Sequence, residues 1–168
     1  TRNHESIYDL ETLLEASKEL KDNNINFSLT VAGYGSETES LIRKTEELGL
    51  SDFVEFTGRY NYQLLPKILS KFDFFISTSL SDAGLASSIA EAMACQNIVI
   101  VSDSADNKLW ITNCINGFLF RAGSSQSLYK SIISAIDKKN IWDQISVNAR
   151  KTILERNDIT KEMMKIYK

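Results

Sequence analysis

The sequence has little proline, little glycine and no long apolar run, and each shortage excludes a class of protein. One of its 168 residues is proline and seven are glycine, so no Pro- or Gly-rich linker divides the chain. No apolar run approaches the roughly 18 residues that a membrane-spanning helix needs, and no segment has the pattern of a signal peptide. We therefore expect one domain, residues 1–168, that is large enough to bury a sizeable core.

Positive charge is also scarce. The chain has 19 Lys and Arg against 22 Asp and Glu, and its formal net charge is −3. Proteins that bind nucleic acid or an anionic membrane surface broadly present an excess of basic residues, so we expect no nucleic-acid partner. A small anionic ligand fits this composition, because the N–H groups at helix N-termini bind phosphates without net positive charge.

The residue types that build metal sites and nucleophilic triads are few. His4 is the only histidine and has no cysteine close to it in the sequence, so we predict neither a metal site nor a catalytic dyad around it. The two cysteines, Cys95 and Cys114, lack C-x-x-C spacing. This usage is typical of reduced thiols in a cytosolic protein.

What the sequence does contain is a regular alternation of strand-like and helix-like segments. Compact apolar segments rich in β-branched and aromatic residues predict strands at residues 26–33, 53–58, 72–79, 97–103 and 115–120. Amphipathic spacing predicts helices at residues 6–20, 34–50, 61–72 and 124–139, another beginning near Ser87, and more helix towards the C-terminus.

Local signals predict where several of these helices begin and end. Ser6 is predicted to cap the first helix, and Ser36 with Glu39 the second, since a side-chain oxygen there accepts from a free N–H. Gly49 is predicted to end the second helix, and Pro66 to lie in the first turn of the third.

Strands that alternate with helices indicate βαβ units. Such units build a parallel sheet with helices on both faces, and the predicted fold is therefore an α/β, Rossmann-like, doubly wound parallel sheet. Ligands bind this fold beyond the carboxyl ends of its strands. We expect the functional residues in the turns that follow the strands.

The turn after the first strand reads AGYGSE, and its two glycines have two interpretations. Gly33 and Gly35 would let backbone N–H groups approach a phosphate at the start of the next helix. The alternative is that they only allow the positive φ of a turn. The motif lacks the third glycine of a dinucleotide fingerprint and the Gly-Lys-Ser/Thr of a P-loop.

A stretch of small residues, SDAGLASSIAEAMA, follows the third strand. Gly84 lies in its loop, and Ala86, Ser87 and Ser88 leave the first N–H groups of the next helix accessible to an anion. Glu91 is then one turn into the helix, facing a ligand. The alternative is a capping box in which Ser88 and Glu91 only satisfy backbone donors.

In this order, the segments resemble the C-terminal half of the group 1 (family 4) retaining glycosyltransferases with the GT-B fold. The resemblance runs through Arg2, LTVAGYGSE, LGLSDFVEFTGRY, FFISTSLSDAGLASSIAEAMACQNIVIVSD and DNKLWITNCINGFLF. It implies that this domain binds a UDP- or GDP-linked sugar and that a separate N-terminal half binds the acceptor. It also implies that the domain has one further strand, which precedes residue 1 and comes before the strand predicted at residues 26–33.

The resemblance also assigns roles to particular residues. It implies that Glu91 holds the ribose hydroxyls and that Arg2 neutralises the diphosphate. The loop before Glu91 would offer backbone amides to the diphosphate and sugar, and the loop after the second strand would meet the base. The matching positions are Gly84, Leu85, Ala86 and Ser87 in the first loop and Arg59, Tyr60 and Asn61 in the second. No metal is expected.

Two positions depart from the family's pattern. The family has a second glutamate, eight residues before Glu91, that touches the donor sugar. This chain has Ala83 there, and we expect the adjacent Asp82 to replace that glutamate among the catalytic residues by a shift of the loop. The family also has a lysine five or six residues after the arginine, where this chain has Ile7 and Tyr8.

The implied function is transfer of a hexose, with retention, to a glycan or lipid-linked acceptor in surface polysaccharide or lipopolysaccharide synthesis. The implied location is the cytoplasm, at the inner face of the membrane, with peripheral membrane contact by the full-length protein. The two departures leave a second hypothesis open, a non-catalytic domain that binds a nucleotide sugar or a partner. A third is a flavodoxin-like or other Rossmann-like module unrelated to sugars.

Overall fold

The computed structural model describes residues 3–81 and 84–156. Its strands lie close to the predicted segments, each shorter than the apolar run that predicts it. They are β1 (Leu29–Ala32), β2 (Val54–Gly58), β3 (Phe74–Ser77), β4 (Ile98–Ser102) and β5 (Phe118–Phe120).

Helices occupy most of the chain between and after the strands. They are α1 (Leu10–Asp22), α2 (Thr38–Glu47), α3 (Leu65–Leu69), α4 (Ser87–Ala94), α5 (Asn107–Trp110), α6 (Ser125–Asp137) and α7 (Trp142–Arg156). Short 3₁₀ turns precede α1, α3 and α7, at Ser6–Tyr8, Tyr62–Leu64 and Lys139–Ile141. The predicted helix beyond Arg156 lies outside the described residues.

Every strand pairing among the described residues is parallel, and a helix lies between each strand and the next. β1 pairs with β2, while β3, β4 and β5 form a second sheet in that order. The segment before α1 joins the carboxyl ends of the two sheets. The His4 N–H donates to the Tyr34 carbonyl after β1 at 3.4 Å, and the Leu80 N–H after β3 donates to the Ile7 carbonyl at 2.9 Å.

Helices cover both faces of the three-stranded sheet, as the doubly wound prediction requires. All five residues of β4 are buried, and successive side chains of a strand point to opposite faces. Val99 and Val101 pack in one apolar cluster with residues of α4 and α7, whereas Ile98 and Ile100 pack in another with residues of α1 and α6. The predicted α/β, Rossmann-like fold is therefore confirmed.

The predicted N-caps of the first two helices are wrong. Ser6 lies in a 3₁₀ turn, and α1 begins only after Asp9, whose φ is 46°. The cap of α2 is Glu37, without a side-chain bond, because the Ser36 hydroxyl instead donates to Glu5 Oε2 at 2.6 Å. The Ser36 hydroxyl therefore bonds to a carboxylate from another part of the chain and does not cap the N-terminus of α2.

The predicted glycine stop and proline start are confirmed. Gly49 follows α2 with a φ of 65°, in the left-handed region that glycine favours. Pro66 lies in the first turn of α3, where its missing N–H has no helical partner to lose.

None of the described helices combines the length and the apolar character that crossing a membrane requires.

Candidate functional site

A cavity of about 540 Å³ opens at the carboxyl ends of the strands. Its size lies in the range of small-molecule sites. Residues that follow β1 and β2 form one side, namely Gly33, Tyr34, Arg59, Tyr60 and Tyr62. Asn3 and Tyr8, from the segment before α1, close another part of the wall.

The N-terminal turn of α4 forms the opposite side. Ala86, Ser87 and Ser88 line the cavity there. Ala86 is the N-cap, and its carbonyl already accepts from the N–H groups of Ile89 and Ala90, both at 3.0 Å. The side chains of Ala86, Ser87 and Ser88 are small, so a ligand can approach the N-terminus of α4. The dipole of this eight-residue helix favours negative charge there.

Glu91 lies one turn further into α4, half-buried, with its side chain at the cavity. Its Oε1 accepts a hydrogen bond of 2.7 Å from the Tyr62 hydroxyl. Ser88 is inside the helix and Ala86 caps it without a side-chain bond. Of the two sequence interpretations of Glu91, the capping box is therefore wrong, and the carboxylate faces the cavity.

The sequence interpretation missed several residues that line the cavity, and of these Tyr62 is the one that contacts Glu91 directly. The Glu91 carboxylate, by accepting its hydrogen bond and by its charge, raises the pKa of the Tyr62 hydroxyl. The distribution of tyrosine was a signal in the sequence. Of the six tyrosines in the chain, four line this cavity: Tyr8, Tyr34, Tyr60 and Tyr62. All four fall in segments that the topology brings to the carboxyl ends of strands, although their separation along the chain hides the cluster.

The two glycines of the turn after β1 have different roles. Gly33 lines the cavity, with a φ of 139° and its N–H donating to the Gly58 carbonyl at 2.8 Å. A Cβ on Gly35 would lie 2.4 Å from the carbonyl oxygen of His4. Close packing against the N-terminal segment, rather than a positive φ or a phosphate, therefore explains the absence of a side chain at Gly35.

The loop after β2 divides its predicted residues in a similar way. Arg59 and Tyr60 line the cavity, and Arg59 brings positive charge to its wall. The Asn61 side chain instead accepts from the Gln63 N–H at 3.0 Å and so begins the 3₁₀ turn that carries Tyr62. Asn61 shapes the loop that places its neighbours.

The loop before α4 is described only in part. Gly84 has a φ of 68°, and Leu85 packs against the apolar cluster around α4 and α7. Asp82 and Ala83 lie outside the described residues, as does Arg2 at the start of the chain, so the roles assigned to Asp82 and Arg2 stay predictions. Of the two positions where the family pattern has lysine, Tyr8 lines the cavity.

Two serine hydroxyls form hydrogen bonds to the start of the loop before α4. Ser102, the last residue of β4, and Ser104, two residues later, both donate to the Ser79 carbonyl just after β3, at 2.5 and 2.8 Å. The described residues contain no group of three or more His, Cys, Asp or Glu side chains arranged around a metal position.

The family model described as glycosyl transferases group 1 matches residues 5–152. A curated relative, the uncharacterized glycosyltransferase MJ1069 of Methanocaldococcus jannaschii, is 28% identical over 159 residues, which are 95% of this chain and 39% of that protein. The chain spans about two fifths of the length of the curated relatives it matches.

Solved structures share the fold over nearly the whole chain. The complex of Anabaena Alr3699/HepE with UDP has a TM-score of 0.88 at 22% identity, and the match covers 99% of this chain and 46% of that one. The C-terminal domain of LpcC, a group 1 glycosyl transferase family protein from Francisella tularensis, has a TM-score of 0.82 at 19% identity. That match covers 94% of this chain and 83% of the other.

Proposed function

Because this chain belongs to the group 1 glycosyl transferases, we propose that it binds the nucleotide diphosphate sugar from which a hexose is transferred. One observation carries the proposal: the half-buried Glu91 carboxylate faces a cavity of about 540 Å³ beside the small-residue N-terminus of α4. A ligand with an anionic part and neighbouring hydroxyl groups complements that pairing.

The cavity offers a distinct partner for each part of such a donor. The diphosphate would lie at the N-terminus of α4, against the backbone of Ala86 and Ser87. The ribose hydroxyls would donate to the Glu91 carboxylate, which accepts but cannot donate when ionised. The base would lie against the loop of Arg59 and Tyr60. Stabilisation of the departing diphosphate by these donors is the electrostatic part of catalysis.

We propose that the hexose is transferred with retention to a glycan or lipid-linked acceptor, in surface polysaccharide or lipopolysaccharide synthesis. The acceptor oxygen bonds to the anomeric carbon on the face that the leaving group occupies, while the bond from that carbon to the diphosphate oxygen breaks. The released diphosphate oxygen takes the proton of the acceptor hydroxyl. The donor base is uracil or guanine. Structures related to this chain at 22% and 21% identity contain UDP and UDP-glucose, which supports the nucleotide diphosphate class.

The acceptor is assigned to a separate N-terminal half, without which this domain transfers little. This chain spans about two fifths of the length of the curated relatives, which supports a division of the protein into a donor-binding half and an acceptor-binding half. We also propose that the sheet's first strand lies between β1 and β3. These strands do not pair with each other among the described residues, and the segment before α1 bonds to the ends of both.

We further propose that transfer needs no metal and takes place in the cytoplasm, at the inner face of the membrane. The N-terminus of α4 and the Arg59 side chain at the cavity would balance the diphosphate charge, together with the proposed Arg2. The free thiols Cys95 and Cys114 suit a reducing compartment. Nucleotide affinity that is equal in EDTA and in Mg²⁺ would support the metal-free proposal, and affinity lost in EDTA would oppose it.

Calorimetric titration with UDP, GDP, their sugars and FMN tests the proposal. We expect one nucleoside diphosphate to bind, and Glu91→Ala to weaken it by about 1–3 kcal/mol, the cost of leaving hydroxyl donors unpaired. Glu47→Ala, at an exposed position of α2 away from the cavity, is the matched control and should leave the affinity unchanged. Unchanged nucleotide affinity in Glu91→Ala, or no binding by the wild type, contradicts the proposal.

A second candidate is a nucleotide-sugar-binding domain without transferase activity. Tyr8 favours it, because this residue lines the cavity where the family pattern has a lysine to neutralise the diphosphate. Binding of the donor by the full-length protein, with neither transfer nor hydrolysis of the sugar, would select this candidate. The family match leaves the flavodoxin-like alternative without support.

A further inference from the structure

The hydroxyl of Tyr62 and the carboxylate of Glu91 meet across the cavity. Tyr62 comes from the 3₁₀ turn after β2 and Glu91 from α4, and the bond between them is 2.7 Å long. It therefore joins two walls of the cavity that are 29 positions apart in the chain. Both residues also line the cavity itself.

The packing of the fold does not account for a tyrosine at this position. The Tyr62 residue is 66% exposed, so its ring contributes little to the apolar core. Its backbone is nevertheless well held, because Asn61 accepts from the N–H groups of Gln63 and Leu64, each at 3.0 Å. The following helix is anchored by the buried Leu65 and Leu69. An exposed ring on a fixed turn, with its hydroxyl bound to a cavity carboxylate, indicates a role at the ligand.

The chemistry of the carboxylate defines that role. An ionised carboxylate has two oxygens and about four lone-pair positions, and a Glu side chain can rotate among several orientations. The Tyr62 hydroxyl takes one position on Oε1 and restricts the rotation of the group. Among the described residues no other hydrogen bond to this carboxylate is formed, so Oε2 and the second lone pair of Oε1 are left for two further donors, which is what a pair of neighbouring hydroxyls supplies.

We propose that Tyr62 is a positioning residue that orients Glu91 towards the 2′- and 3′-hydroxyls of the donor ribose, and thereby sets the preference for ribonucleotides over 2′-deoxyribonucleotides. The proposal rests on the proposed function, since it refines how the same site recognises its nucleotide. Tyr62 does not touch the reacting atoms. Its effect is transmitted through the Glu91 carboxylate.

Titration of the full chain with UDP, GDP and their 2′-deoxy forms tests this inference. The wild type should bind the ribonucleotide more tightly than its 2′-deoxy form. Tyr62→Phe should weaken binding of the ribonucleotide by about fivefold to tenfold, the effect of one hydrogen bond. Tyr62→Phe should weaken binding of the 2′-deoxy form less, so that the ratio of the ribonucleotide affinity to the deoxyribonucleotide affinity falls. Tyr129→Phe on α6 removes a hydroxyl away from the cavity and should leave both affinities unchanged.

A spectroscopic measurement tests the contact without any nucleotide. Because the Glu91 carboxylate raises the pKa of Tyr62, Glu91→Gln should lower that pKa towards its ordinary value. Titration of the chain labelled with ¹³C at the tyrosine Cζ resolves this ring from the others by comparison with Tyr62→Phe. A Tyr62 pKa that does not respond to Glu91→Gln would overturn the inference.

The binding outcomes separate this inference from the proposed function. Tighter ribonucleotide binding by Tyr62→Phe would show that the ring blocks the ribose position, and an unchanged ratio would show no role in discrimination. Either result overturns the inference while the proposed function stands, provided that Glu91→Gln weakens the ribonucleotide. Full affinity in Glu91→Gln overturns the proposed function and this inference together.

Discussion

The only histidine of the chain is a core residue. His4 is buried, its Nδ1 lies 2.9 Å from the Thr38 hydroxyl, and its ring meets Phe56 edge-on with 6.1 Å between centroids. Its Nε2 has no hydrogen-bond partner among the described residues. Burial in these surroundings lowers the pKa of His4 below its ordinary 6.5.

The lowered pKa of His4 makes stability depend on pH. In the unfolded chain the imidazole takes up a proton near pH 6.5, while the folded chain resists protonation to lower pH. The contribution of His4 to stability is therefore present above about pH 6.5 and is lost as the pH falls through the folded-state pKa. Urea unfolding between pH 8 and 5 measures this loss.

His4→Asn is the variant for that experiment, because an Asn side chain keeps a polar partner for Thr38 but does not titrate. We expect its free energy of unfolding to change less than that of the wild type over the same pH range, whatever its absolute value. A slope equal to that of the wild type would show that carboxylates, rather than His4, cause the dependence.

Among the elements, β4 is the centre of the fold. It lies between β3 and β5, and its side chains divide between the two apolar clusters that α4 and α7, and α1 and α6, complete. The strand also carries Ser102 at its end, which braces the loop before α4. Packing around β4 thus positions the cavity at the carboxyl ends of the strands.

Ile100→Val on β4 should lower the free energy of unfolding by about 0.5–1.5 kcal/mol, because a fully buried methyl group is lost and leaves a cavity. Ile115→Val is the matched control. That side chain is 54% exposed, and the same substitution there should change stability by under about 0.5 kcal/mol. Chemical denaturation measures both, and equal losses would contradict the description of β4 as the core strand.

For the whole molecule, the cavity is a product of topology. Four separate segments meet there because the segment before α1 bonds to the residues that follow β1 and β3, and so joins the carboxyl ends of the two parallel sheets. A ligand that contacts all four segments would couple them, and its binding would then stabilise the folded chain as a unit.

The preferred nucleoside diphosphate should therefore raise the thermal midpoint. At one hundred times its dissociation constant, linkage gives about 2.7 kcal/mol, which for a chain of this size is a rise of roughly 5–10 °C. Differential scanning calorimetry measures the shift. Inorganic pyrophosphate at the same concentration should raise the midpoint less, since it lacks the ribose and the base, and an equal rise would indicate a site for the anion alone.

Local signals predicted the strands and every described helix except α5, because their causes are local. Apolar runs marked all five strands, Gly49 marked the end of a helix and Pro66 the start of another, and each depends on the residue's own geometry or burial. Resemblance to a family added the candidate role of Glu91. The predicted capping by Ser36 was wrong because a distant carboxylate, Glu5, competed for its hydroxyl.

The sequence alone determined the class of fold, the order of its strands and the end of the strands at which the cavity lies, because periodicity and turn chemistry act over a few residues. Only the tertiary structure decided which side chains meet. Tyr62 contacts Glu91, which is 29 positions away in the sequence, and the backbone of His4 leaves no room for a side chain at Gly35. Contacts of this kind depend on how strands and helices are placed in space, which no local pattern in the chain records.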